Sequence, residues 1–238
     1  MTTVQKQATA AELTTLHGLY EAGEFLQALR LLDEGLLAAL GARADDPAQT
    51  GAVLVVANLY RDLGRFSAAE PFYLQALAGL ALARGKDHPE YACGLVELGR
   101  LYAQLGRHQQ ALPLFEQART VHETTATPDP VAHACCLRAL AELYDDLDRR
   151  RDAHACLTSA RTLLEQSDAA PAELADLLLS EAWALFRLRG AMDCVSRARQ
   201  ALAIYREHKG ENHPGTVQAG YRLGGCFYRC ASWTRPRP

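Results

Sequence analysis

The sequence predicts an all-α repeat protein of about five and a half helix-turn-helix units, and three observations carry that reading. Five prolines, Pro47, Pro89, Pro130, Pro171 and Pro214, follow one another at intervals of 42, 41, 41 and 43 residues. Within that period residue types recur in columns. Tyr60, Tyr102, Tyr144 and Phe186 stand 42 apart, and so do Ala57, Gly99 and Ala141, and Ala69, Ala111 and Ala153. Another small column runs Ala76, Ala118, Ala160 and Ala201, beside a large one of Tyr73, Phe115 and Leu157. Small residues at fixed places let two helix backbones approach, and large neighbours fill the space beside them. Finally, Leu95, Leu98 and Tyr102 are spaced three and four apart, a helical face and not a strand alternation.

Taken in order, residues 1–10 are polar and expected to be disordered. The solenoid is expected over 11–231, in repeats 11–46, 47–88, 89–129, 130–170 and 171–213 with a half repeat 214–231, and a tail over 232–238. In repeat one, Leu13, Leu16 and Tyr20 form the inner face of the first helix, and Phe25, Ala28 and Leu32 belong to the second. Its turn from Tyr20 to Gly23 is one residue shorter than that from Tyr60 to Gly64. Asp45, Asp46 and Pro47 then supply helix-opening chemistry. In repeat two, Ser67 and Glu70 read as a capping box opening the second helix, with Pro71 in its first turn and Pro113 repeating the placement. In repeat four Asp148 replaces the turn glycine; aspartate tolerates such a turn and can cap the coming helix. Trp183 and Phe186 load the first helix of repeat five, and Leu223, Gly224 and Phe227 fill the usual slots of the sixth. His88 and His213, each just before a proline, are read as capping residues.

Tyr102 with Gly99, then Ala111, Phe115 and Ala118, resemble the tetratricopeptide repeat. The long period, with Gly-Lys-Asp-His-Pro over 85–89 and Gly-Glu-Asn-His-Pro over 210–214, is similar to the kinesin-light-chain type. The resemblance covers residues 10–230 and implies a right-handed α-α superhelix whose first helices line a concave groove for a protein or peptide ligand. Members that hold the acidic C-terminus of heat-shock chaperones carry a lysine–asparagine–arginine clamp. At the matching places this chain has Leu54 and Asn58, Glu97, then Cys135 and Ala139, so only the asparagine is kept and that partner is not expected.

Composition removes other classes. Net charge is −3 with a pI of 6.2, so the whole-chain charge makes no case for nucleic acid or a membrane surface. No apolar window reaches the length of a membrane span. Cys93, Cys135, Cys156, Cys194 and Cys226 sit on helical faces and not in a disulfide framework, which fits a reducing cytoplasm. His133 and Cys135 lack the glycine-rich turn, oxyanion donors and orienting group that nucleophilic catalysis needs, so no enzyme is expected. Cys226 and Cys230 have ligand spacing but no second pair, so neither metal nor cofactor is expected.

What remains is the groove. By register, residues one step off the packed columns point into it: Leu54, Val55, Asn58, Arg61 and Asp62; Cys93, Val96, Glu97, Arg100 and Gln104; Cys135, Arg138, Glu142, Asp145 and Asp146; and Glu181, Arg187, Tyr221, Arg222, Tyr228 and Arg229. That mixture of apolar, amide and charged groups suits a peptide or helix. The expected function is therefore a non-catalytic interaction scaffold. Two other readings stay open: a regulatory or sensor segment of a larger protease or nucleotide-switch protein, and a self-assembling structural protein. The sixth first helix is expected to lack a second helix, leaving Leu223, Phe227 and Trp233 as a self-association surface for a homodimer.

Overall fold

The computed structural model describes residues 10–32, 36, 40, 47–126, 129–167, 171–188, 191–211 and 214–233, and among them there is no strand. The expected disordered N-terminus lies outside the described residues but for Ala10, which is helical, and so does the tail beyond Trp233. The helices are α1 (Ala10–Glu21), α2 (Phe25–Leu31), α3 (Pro47–Asp62), α4 (Phe66–Ala83), α5 (Pro89–Gln104) and α6 (His108–Thr124). They continue as α7 (Pro130–Asp146), α8 (Arg150–Glu165), α9 (Pro171–Arg187), α10 (Ala191–Lys209) and α11 (Pro214–Trp233). All five pacing prolines are first residues of helices, where the missing N–H and fixed φ do no harm. The helices pack as two compact units, Met1–Thr125 and Ala126–Pro238.

The repeat is punctuated by one turn, made four times. After α3 the Gly64 N–H donates to the Arg61 carbonyl at 2.8 Å and the Arg65 N–H to the Tyr60 carbonyl at 2.7 Å. This pair of bonds closes the helix end, and it requires a left-handed residue between the helices. Gly106 and Arg107 repeat both bonds after α5, and Asp148 and Arg149 repeat them after α7. Gly64 has φ 72° and Asp148 has φ 59°, so the aspartate does take the glycine conformation. It does not cap the next helix, whose N-cap is Arg149 without a side-chain bond; Asp148 instead meets Arg150 at 2.7 Å. Repeat one makes the same turn with the same spacing, Gly23 to Tyr20 and Glu24 to Leu19, so the turn is not shortened as expected; Tyr20 stands one place nearer to it than Tyr60 does.

The capping-box reading at Ser67 is corrected by the same turn. Because Arg65 already closes the preceding helix, α4 begins at Phe66 with Arg65 as N-cap and no side-chain cap. Pro71 and Pro113 therefore lie inside α4 and α6 beyond the first turn, and Glu70 is released to accept from the Tyr102 hydroxyl at 2.9 Å. His88 does cap α5, its Nδ1 accepting from the Glu90 N–H, and Asp129 caps α7 through two N–H bonds at 3.0 Å. His213 and the Asp45–Asp46 pair lie outside the described residues.

Packing follows the columns. Ala69, Ala111, Ala153, Ala76, Ala118, Ala160 and Ala201 are buried, as are Tyr73, Phe115 and Leu157. A Cβ added at Gly99 would stand 2.7 Å from the Phe115 ring, so the glycine marks the closest approach of α5 and α6. Burying a side chain the size of Phe115 stabilises by about 1.5–3 kcal/mol. The second unit holds one internal ion cluster: Glu181 of α9, 2% exposed, lies 3.1 Å from both Arg161 of α8 and Arg197 of α10.

Candidate functional site

In the first unit, α3 and α5 carry Asn58, Arg61, Asp62, Glu97, Arg100 and Gln104 at the expected register. Most of these polar groups bind one another. Arg61 pairs with Glu97 of the next first helix and with Asp62 at 3.1 Å, while Arg100 lies 3.7 Å from Glu97. Tyr20 of α1 donates to Asp62 at 2.8 Å, and the buried Tyr73 hydroxyl donates to Asn58 at 2.5 Å. Burial works against the Arg61 charge, yet Glu97, Tyr73 and Asp62 hold its pKa above the ordinary arginine value. Burial also pushes the Tyr20 phenol up to about 12, with the Asp62 bond adding to it. Val55 and Val96, expected to face the groove, are buried instead, because they sit on the face that packs in the interior.

The second unit has indentations of its own. A pocket of about 240 Å³ is floored by Ala141, Ala153, Leu157 and Ala184 and rimmed by Glu142, Asp145, Ser180, Trp183 and Arg222. Asp145 meets Arg187 at 2.5 Å, Glu142 lies 3.5 Å from Arg138, and the Arg222 guanidinium lies 5.6 Å from the Trp183 ring centroid. Cys135 and Arg138 line a separate small cavity of about 30 Å³ with Glu173, Asp176 and Leu177. The wall residues thus pair an apolar floor and an aromatic edge with charges of both signs, which is what an anchored side chain with polar neighbours requires.

Sequence reasoning missed Trp183, placing it as helix filling; it is 47% exposed, stacked on Phe186, at the pocket edge. The signal was there, since Asn58, Arg100, Glu142 and Trp183 form one column at intervals of 42, 42 and 41. Glu181 was expected in the groove and is instead the buried ion cluster described above. Tyr221 is not among the pocket residues; it stands 84% exposed on α11. Leu223 packs with Cys194, Val195 and Cys226, while Phe227 is 43% exposed beside Arg199. The side chains of Arg229, Cys230 and Trp233 lie outside the described residues.

Comparisons with known proteins bear on the fold. The tetratricopeptide repeat family matches residues 49–124 and again 97–166. No curated protein matches the chain significantly. Among solved structures, BtubC (BKLC) from P. vanneervenii is 19% identical with a TM-score of 0.67, over 97% of this chain and 96% of that one. The nearly identical TPR-like repeats of a Podosopora anserina protein assigned as a kinesin light chain are 18% identical with a TM-score of 0.64, over 84% and 95%. Rap Protein complexed with Competence and Sporulation Factor is 16% identical with a TM-score of 0.64, over 94% and 72%. At these identities the likeness is one of fold.

Proposed function

Because this chain is a tetratricopeptide-repeat protein with a kinesin-light-chain-like fold, we propose that it is a non-catalytic scaffold that binds a protein or peptide on the face formed by its first helices. The single observation that carries this is the pocket of the second unit, with its apolar floor, exposed Trp183, and Glu142, Asp145 and Arg222 at the rim. Aromatic and arginine groups of this kind concentrate binding energy in protein recognition. Arg138, Arg187 and Tyr221 are proposed to add contacts in that unit, and Asn58, Arg61, Asp62, Glu97, Arg100 and Gln104 to form the corresponding face of the first. A similarly folded chain, Rap, has been solved holding a factor, which supports a recognition role. No helix among the described residues is long and apolar enough to cross a membrane.

Panning a displayed random-peptide library on the wild-type chain tests the reading. Enriched peptides should lose about tenfold or more in affinity on Trp183→Ala and on Ala184→Trp, which fills the pocket floor. Absence of any enriched sequence, or peptides indifferent to both substitutions, overturns it.

A further inference from the structure

Repeat four departs from repeats two and three in one packed column, where Tyr73 and Phe115 carry rings and Leu157 does not. Both rings are buried, at 0% and 1% exposed. The Phe115 ring lies against Gly99, and the Tyr73 hydroxyl donates to Asn58. Ala141 follows Gly99 by 42 residues, and Glu142 follows Asn58 by 84. Ala153 likewise continues the column of Ala69 and Ala111. Ala141, Glu142, Ala153 and Leu157 all line the pocket of the second unit. That pocket therefore opens at the positions that enclose an aromatic ring in the two earlier repeats, beside a side chain that lacks one. At about 240 Å³ it has room for a ring, since an apolar cavity of about 150 Å³ takes up benzene.

The polar wall says which ring fits. The Glu142 side chain is half exposed, and its Oε1 lies 3.5 Å from Arg138, which leaves the other oxygen able to accept. The buried Oδ1 of Asp145 has no donor either. Arg222 at the rim already donates to the Leu179 carbonyl at 3.3 Å and lies against the Trp183 ring. A phenyl or aliphatic occupant would leave the carboxylates unmet. A phenol sets one O–H beside them, as Tyr73 sets its own beside Asn58.

We propose that this pocket takes the tyrosine side chain of a peptide, its ring against Ala141, Ala153 and Leu157 and its O–H donated to Glu142. This preference rests on the recognition role proposed for the pocket and names the anchor that the pocket selects.

The probes are a capped pentapeptide with tyrosine at its centre among alanines and serines, the same peptide with phenylalanine there, and p-cresol. Each is titrated into the isotope-labelled full chain and followed by amide NMR shifts. The tyrosine peptide should bind about tenfold or more tighter than the phenylalanine peptide and than p-cresol. Glu142→Leu should erase the difference between the two peptides. Leu157→Tyr, which restores the ring of the column, should abolish binding. Thermal melts confirm that each variant folds, and Leu157→Phe replaces Leu157→Tyr if that one does not. Equal binding of the two peptides, no binding by either, a preference that survives Glu142→Leu, or normal binding by the ring-restored variant overturns the proposal. So does p-cresol binding as tightly as the tyrosine peptide, since the occupant would then be a free phenol. The recognition role is decided separately: it stands if library peptides without tyrosine are enriched and are lost on Trp183→Ala.

Discussion

The Asp145 carboxylate lies 2.5 Å from the Arg187 guanidinium, 42 residues further along the chain. Tyr20 reaches Asp62 across the same interval at 2.8 Å. Positions separated by one period stand on neighbouring first helices, so a side chain on one can reach the next. These polar residues are rungs between repeats. A double-mutant cycle on Asp145→Ala and Arg187→Ala should give a coupling of about 0.5–1 kcal/mol in urea unfolding. Additive effects would mean that the contact does not join α7 to α9.

Gly99→Leu should cost about 1–3 kcal/mol, because its added atoms run into the Phe115 ring. Gly51→Leu, with nothing within 4 Å of the new Cβ, should be neutral or slightly stabilising through helix propensity. Thermal melts of the Gly99 and Gly51 variants decide the matter, and equal midpoints would refute the packing described.

Asp148 pays a conformational cost at φ 59° that glycine avoids. Asp148→Gly should raise stability by about 0.5–1 kcal/mol, less whatever its exposed pairs with Arg150 and Arg187 contribute, and Asp148→Ala should lower it. The ordering Gly, Asp, Ala in denaturant midpoint is the readout.

Glu181 balances two arginines in a nearly dry site. Glu181→Ala leaves Arg161 and Arg197 without it and should cost about 3–5 kcal/mol. Arg161 retains Glu165 at 2.9 Å, so Arg197→Ala on the mutant background should recover part of the loss. Urea titrations of the single and double variants measure it, and a loss under 1 kcal/mol would show the site to be wetter than its geometry.

Alkaline pH should destabilise the chain. Burial, then the Asp62 bond, raises the Tyr20 pKa from 10.0 to about 12, and burial likewise raises Tyr73, Tyr102 and Tyr205. A phenol with a raised folded pKa contributes stability that is complete below pH 10 and is lost as pH climbs through the folded value. Denaturant midpoints should therefore be flat below about pH 9 as far as these groups act, and fall from about pH 10 to 12. Tyr20→Phe should remove from the ultraviolet absorbance curve a phenol that titrates near pH 12; loss of one that titrates near pH 10 would contradict the Tyr20–Asp62 bond.

The sequence by itself determined the repeat, the all-α class and the packed columns, because close helix packing needs alanine, glycine and large residues at fixed intervals. Ala69, Gly99, Phe115 and Leu157 could be read in that way without coordinates. It also marked where helices start, since Pro89 and Pro130 each follow a residue able to cap a helix, His88 and Asp129. Tertiary structure alone decided which off-column residues are presented. Val96 and Glu181 were expected in the groove with Arg100 and Glu142, yet they are buried, because a helical step of about 100° is enough to separate an inner face from an interface. It decided too that Ser67 does not open α4, because the turn bonds of Gly64 and Arg65 had already set the helix start. Lastly it separated Tyr221 from the Trp183 pocket, a distinction of environment that residue type cannot express.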